Sequence, residues 1–221
     1  MSKPGWVSVL YSGVLITCAV VVTALVVRRE FFPPGTSVQR LAAEAVSNWR
    51  AFASTGHRTG PAEAPVTMVV FSDFQCPACK VLADQVQTLR ERHPDRFSVV
   101  YRHHPLPSHS HALPAARASE CAARQGRFSE YHDALFASQE TLGYTPWQKF
   151  AQVAGVPDME AFQRCFAEPG QVEQLVRDAE DARRLGVTGT PTLVVNGRRY
   201  NGVPPTTVLE QEIVGQAVAG R

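Results

Sequence analysis

Val66-Thr67-Met68-Val69-Val70-Phe71-Ser72-Asp73-Phe74-Gln75-Cys76-Pro77-Ala78-Cys79, followed by Lys80-Val81-Leu82-Ala83-Asp84-Gln85-Val86, is the stretch that decides the fold. Val66–Phe71 is a short apolar run rich in β-branched residues and reads as a buried strand, while Lys80–Val86 carries helical spacing. Between them lies a C-x-x-C. Two cysteines three positions apart on one helical turn stand within bonding reach, so the pair can close and open as a disulfide. If Cys76 caps the helix and Pro77 takes the first helical position, the orphan N–H groups and the helix dipole point at the Cys76 sulfur. Thiols so placed ionise between about 3.5 and 7.5, against about 8.5 for a free cysteine. Cys76 is therefore expected to be the nucleophile and Cys79, a turn deeper, the resolving thiol. A structural zinc half-site would need two more ligands at metal spacing.

The chain has 221 residues and a net charge of +2, with no run of Lys or Arg longer than two. One principal domain is expected once the N-terminal segment is set aside, and nucleic acid is excluded as a partner class. Residues 6–27 carry no charge, long enough for a helix across a bilayer core, and read as a membrane anchor. The run is longer than the apolar part of a cleaved signal and no A-x-A site ends it. Leu15-Ile16-Thr17-Cys18 is a weak lipoprotein-like match, since Thr17 is larger than that pattern wants. Arg28 and Arg29 against Lys3 favour a cytoplasmic C-terminal side, whereas the cysteine content favours an oxidising compartment. The cysteines are given the greater weight, which puts the body of the chain outside the cytoplasm.

Phe31-Phe32-Pro33-Pro34-Gly35 marks the exit from the anchor, so residues 1–35 form the membrane and exit segment. Val38, Leu41, Ala42, Ala45, Val46, Trp49 and Phe52 recur at helical spacing and predict an amphipathic helix, with a linker from Ser54 to Pro65. The main domain then runs over 66–221. Phe97–Tyr101 predicts a second strand, and the pattern turns helical up to Leu185 with breaks at Gly126, Gly143, Gly155 and Gly170. The last of these helices shows an apolar face of Val172, Leu175, Val176, Ala179, Ala182 and Leu185, stopped by Gly186. Asn196-Gly197 between strand-like runs predicts a hairpin, and Thr207-x-x-Glu210 a capping box on a final helix. The order is β-α-β, a helical insertion at about 107–185, then β-β-α.

With these elements in place the chain resembles the DsbA-like branch of the thioredoxin superfamily. The resemblance rests on Phe71–Cys79, Tyr101-Arg102-His103-His104-Pro105-Leu106, His111–Ala118 and Gly186-Val187-Thr188-Gly189-Thr190-Pro191-Thr192. It implies an α/β thioredoxin-like fold with an inserted helical subdomain. It also implies that Pro191 is a cis-proline facing the active-site cysteines, with the Thr190 backbone offered to a substrate and its hydroxyl near Cys76. A Cys121–Cys165 structural disulfide follows from the same resemblance. Two departures stand out. Ala78 occupies the dipeptide position where strong oxidases of the family carry His, which implies a milder oxidant, and Val70 occupies the place of a buried acid. Asp73 reads as a turn residue in preference to a proton acceptor.

His103, His104, His109 and His111 fall within nine positions, but Pro105 and Pro107 impose an extended path without metal-ligand spacing, so no metal is assigned. No motif calls for a flavin, a nicotinamide or another cofactor. The expected function is thiol–disulfide exchange on protein thiols through Cys76 and Cys79 as a disulfide donor, with a membrane redox partner to reoxidise the pair. A reductase or isomerase would use the same cysteines, and a soft-metal carrier would use them as ligands without turnover.

Overall fold

A computed structural model describes residues 44–219 and, of the N-terminal segment, Thr23 alone. Strands β1 (Glu44–Ala45), β2 (His57–Thr59), β3 (Val66–Ser72), β4 (Phe97–His103), β5 (Thr192–Val195) and β6 (Arg198–Asn201) form one sheet in the order β1-β6-β5-β3-β4-β2. β3 and β4 are parallel, joined by the crossover helix α2 (Pro77–Arg92), and the other pairs are antiparallel. Central β3 pairs on both sides and is buried almost throughout, which is why it reads as a continuous apolar run.

Alternation along β3 sends its side chains to two cores. Val66, Met68 and Val70 pack with Leu82 and Leu89 of α2 and with Leu209 and Ile213 of the C-terminal helix α8 (Thr206–Ala219). Val69 and Phe71 face the opposite layer, with Phe52, Val100, Ala182 and Leu185. β5 and β6 form the expected hairpin, with Asn196 and Gly197 both at positive φ as a tight two-residue turn requires.

Between β4 and β5 the chain folds α3 (Ala112–Ala123), α4 (Phe128–Ala137), α5 (Trp147–Val153), α6 (Met159–Ala167) and α7 (Glu173–Leu185). Tyr131, Leu135, Phe150 and Phe162 make the insert's own core, and Phe74, Cys79 and Tyr101 carry it onto the thioredoxin-like sheet. Cys121 of α3 and Cys165 of α6 are joined by a disulfide.

Four local expectations are corrected. The helix expected over 38–52 is, within the described residues, a strand, a turn and a short helix α1 (Trp49–Ala53). Pairing with β6 outweighs the helical spacing: Ala45 sits opposite Arg198, the Val46 N–H donates to Gly197 O at 2.7 Å, and Trp49 lies where a Gly197 Cβ would come within 2.8 Å of its ring. The expected linker at 54–65 contains β2, which adds to the β4 edge. At its start Gly56 (φ +96°) passes so close that a Cβ would stand 2.6 Å from Tyr101 O. In α7, Ala179 is exposed and Leu175 and Val176 half-buried, while Asp178 and Asp181 face inward beside Ala182 and Leu185. The cause is Arg102 on β4, fully buried beneath that helix, whose Nε donates to Asp178 Oδ1 at 2.5 Å and whose Nη2 donates to Asp181. Finally, α8 begins at Thr206, and Glu210 accepts from His93 Nε2 at 2.9 Å instead of closing a box with Thr207.

Among the described residues no helix is long and apolar enough to cross a membrane. The expected anchor at 6–27 and the exit segment lie outside them, Thr23 apart.

Candidate active site

The site forms where β3 hands over to α2. Asp73, buried at the strand end, turns the chain: its Oδ1 accepts from Gln75 N at 2.7 Å, and its Oδ2 accepts from Leu106 N at 2.8 Å and meets His109 Nδ1 at 2.7 Å. The next residues place Cys76 as the helix cap in extended conformation (φ −75°, ψ 120°) with Pro77 opening the helix. The Cys76 carbonyl accepts the first helical bonds, from Cys79 N at 3.0 Å and Lys80 N at 3.3 Å. Pro77 supplies the fixed φ of a first-turn residue and lacks an N–H that would have no partner there.

Both active-site thiols are free, with relative exposures of 6% for Cys76 and 1% for Cys79. Their electrostatics diverge. The hydrogen bond from the Cys79 thiol, helped by the backbone N–H groups of Cys79 and Ala78, outweighs burial and pulls Cys76 down to about 5. Burial pushes Cys79 well above the ordinary thiol range, and its hydrogen bond to Cys76 adds to that. The Asp73 N–H points at the Cys79 sulfur at 3.5 Å. At neutral pH the arrangement holds a thiolate at Cys76, with only a sliver of its surface open to solvent, and a thiol beneath it at Cys79.

Opposite the helix start, the Thr190-Pro191 peptide is cis, and the Cys76 thiol reaches the Thr190 carbonyl at 3.4 Å. As the sequence led one to expect, the buried Thr190 hydroxyl lies near that sulfur and helps hold the thiol low, although the main-chain carbonyl makes the closer-aligned contact. A carbonyl beside the nucleophile gives an extended substrate a main-chain acceptor next to the reacting sulfur. Ala78 is half-buried against the helical insert, and its side chain offers no polar group to either thiol, leaving only its N–H to help Cys76.

Sequence reasoning missed Gln139. From the short 3-10 turn Gln139–Thr141 its side-chain amide donates to Phe74 O at 2.8 Å and to Cys76 O at 3.0 Å, tying the insert to the active-site loop. Nothing in the local pattern marks it, because both acceptors are main-chain atoms more than 60 residues away.

The four clustered histidines do not converge. His109 holds Asp73, the His111 N–H donates to Gln75 Oε1 at 2.7 Å, and burial lowers the pKa of His104. The described residues that could hold a metal are His57, His103 and Glu120. Both imidazole Nε2 atoms meet Glu120 Oε1, His103 at 2.7 Å. Burial would raise this carboxyl, but the hydrogen bonds with His103 and His57 outweigh it and bring it down to about 2. His103 Nδ1 is buried with no partner, whereas a metal-ligating imidazole needs an acceptor there, so the trio reads as a hydrogen-bonded clasp between β2, β4 and α3.

A thioredoxin-type sheet, a C-x-x-C at the start of its first crossover helix, a cis-proline beside it and a helical insert together define the class of thioredoxin-fold redox proteins. The chain belongs to the thioredoxin family, whose model, described as thioredoxin (Thioredoxin_4), matches residues 53–213. Among solved structures it is similar to a thioredoxin-like oxidoreductase from Silicibacter pomeroyi DSS-3, with TM-score 0.64, 27% identity and coverage of 80% of this chain and 100% of that one. It shares its fold with the thiol-disulfide exchange protein alpha-DsbA2 from Wolbachia pipientis, with TM-score 0.64, 20% identity and coverage of 76% and 91%. Among curated proteins it is 38% identical over 149 residues to the Na(+)/H(+) antiporter NhaA 1 of Mycolicibacterium gilvum (strain PYR-GCK). That match takes in 66% of this chain and 24% of the relative, so the chain spans about a quarter of that protein's length.

Proposed function

We propose that this protein is a thiol–disulfide oxidoreductase that donates its Cys76–Cys79 disulfide to protein thiols outside the cytoplasm, held at a membrane through residues 6–27. The observation that carries the direction is the depressed Cys76 thiol, held to about 5. A stabilised thiolate favours the reduced pair, and a pair that prefers to be reduced gives its disulfide away. In each cycle a substrate thiolate attacks Cys76 of the oxidised pair and Cys79 leaves. The mixed disulfide lies against the Thr190 carbonyl, and a second substrate thiol then releases Cys76. A membrane redox partner takes the two electrons and restores the disulfide. The extracytoplasmic location is supported by the Cys121–Cys165 disulfide, which a reducing compartment would not preserve.

The deciding experiment is the reduction potential of the purified full chain against glutathione buffers, with Cys76→Ser as control. A potential of about −120 to −180 mV fits a disulfide donor or isomerase, and about −270 mV would mark a reductase. Absence of any transition belonging to Cys76 and Cys79 would remove the oxidoreductase reading.

A further inference from the structure

The chemistry at Cys79 requires a proton. When the substrate thiolate bonds to Cys76 Sγ, the Cys76–Cys79 bond breaks and its electron pair stays on Cys79 Sγ, which burial strongly disfavours as an anion. In the reverse step Cys79 must lose a proton as it attacks the mixed disulfide and expels the partner thiolate. Among the described residues no carboxylate or ammonium is hydrogen-bonded to its sulfur, which the Ser72 hydroxyl and the Asp73 N–H approach instead, and position 70, on the strand beneath, is a valine.

A cleft between α2 and α4 leads from solvent to this sulfur. Its mouth has exposed Gln87, Ser129 and Asp133, and its floor has buried Val70, Ser72, Cys79 and Tyr101. Its volume is about 60 Å³, room for a short file of waters. Two polar atoms of its lining call for such partners: Arg90 Nε is buried with no hydrogen bond among the described residues, and the buried Tyr101 hydroxyl has only the Ser72 hydroxyl near it. His132 also lines the cleft. Its ring stands edge-on to Tyr101 at 5.1 Å between centroids, and its Nδ1 pairs with Asp133 Oδ1 at 2.8 Å.

Resting on the oxidoreductase reading above, we propose that this cleft is the proton route of Cys79, a water file from the Tyr101 hydroxyl to His132, which exchanges the proton with solvent. In the donating direction the departing Cys79 thiolate takes a proton from the water beside Tyr101, imidazolium His132 makes up the loss, and bulk water reprotonates His132. In the reverse direction neutral His132 receives the proton. His132 acts through water and never touches the sulfur, so it is a positioning residue. The ionisable groups around it are Asp133 on its own helix, Arg90 and Cys79 on α2, and Tyr101 on β4. The His103–Glu120–His57 clasp packs on Phe128 and, through His103, stands edge-on to Tyr101 at 5.1 Å between centroids. Phe74, Phe128 and Phe136 close its remaining sides.

The test uses the full chain, reduced at its active site, with Cys18→Ala so that Cys76 and Cys79 are the free thiols, mixed with an aromatic disulfide (dithiobis-nitrobenzoate). The first release of chromophore reports attack by Cys76, and the second reports closure by Cys79. In the His132→Gln variant the first phase stays within about twofold of the parent, whereas the second slows at least tenfold, in the lower range of general acid–base effects. That variant also loses the pH inflection of the second phase, and Tyr101→Phe slows the same phase. A second phase in His132→Gln with unchanged rate and pH profile overturns the route. If that variant does not fold, the unsubstituted histidine decides: a second phase without a pH inflection or a solvent deuterium effect overturns it equally. Absence of the first phase in the parent would instead sink the oxidoreductase reading itself.

Discussion

Gln139 and Cys76 meet across the boundary between the helical insert and the redox helix, with the Gln139 amide donating to the Cys76 carbonyl at 3.0 Å and to Phe74 O at 2.8 Å. The insert therefore shares the polar framework of the nucleophile's loop. Gln139→Ala leaves the part-buried Phe74 carbonyl without its donor, while Cys76 O keeps its bonds from Cys79 N and Lys80 N, and is expected to cost about 1–3 kcal/mol. Urea unfolding of the reduced and the oxidised protein measures it, and an unchanged midpoint in both would show that water replaces the amide at no cost.

The Cys76 thiol fixes a pH dependence with a definite sign. Its folded value of about 5 lies below its ordinary 9.0, so ionisation stabilises the reduced protein. That contribution is complete above about pH 9 and is lost as pH falls through about 5. Cys79 is shifted upward, so it opposes folding of the reduced form at still higher pH. Iodoacetamide should modify Cys76 at a rate that rises through about pH 5 and levels off by neutrality, with Cys79 untouched. A rate still climbing steeply from pH 7 to 9 would contradict the thiolate assignment.

Glu120 controls acid resistance. Held to about 2 against an ordinary 4.5, its carboxylate contributes stability that is full above about 4.5 and disappears as pH falls through about 2. Glu120→Gln should flatten the stability profile across that window and lower stability at pH 6, since His57 and His103 lose their shared charged acceptor. Thermal melts from pH 2 to 6 are the measurement.

Asp178 carries a larger load. It accepts from Arg102 Nε at 2.5 Å, from the His103 N–H at 2.7 Å and from Gln174 Nε2 at 2.7 Å, while both it and Arg102 are fully buried. Asp178→Ala strands much of the guanidinium charge and should cost about 3–5 kcal/mol, the range for breaking one side of a buried pair. Chemical denaturation reads it directly, and a cost under 1 kcal/mol, well below that range, would mean that Asp181 alone suffices.

The Cys121–Cys165 bond closes a loop with a sequence separation of 44. The double Cys→Ala variant should lose about 3–4 kcal/mol, mainly because the unfolded chain regains freedom. First-phase reactivity of Cys76 should persist, since the disulfide lies in the insert, away from the redox helix. Loss of that reactivity would mean that the insert's fold shapes the nucleophile more than Gln139 alone implies.

The sequence by itself determined the features whose causes are local. The apolar run of β3, the C-x-x-C at a helix start with proline behind it, the Asn196-Gly197 turn and the glycine breaks between insert helices each depend on neighbours a few residues away. With four motifs in order, that was enough to read a thioredoxin-type core and its insert. Only the tertiary structure decided what depends on partners distant in sequence. Helical spacing over 38–52 gave way to pairing of Ala45 and Val46 with the β5–β6 hairpin, because the backbone there finds hydrogen bonds on a strand edge. Asp178 and Asp181 turned inward because a buried guanidinium on β4 needs carboxylates, a demand that no periodicity within α7 expresses. Gln139, the Thr190 carbonyl and the cleft beneath Cys79 belong to the same kind. Each is a polar group or space defined by two segments meeting, and a one-dimensional pattern holds the segments without the meeting.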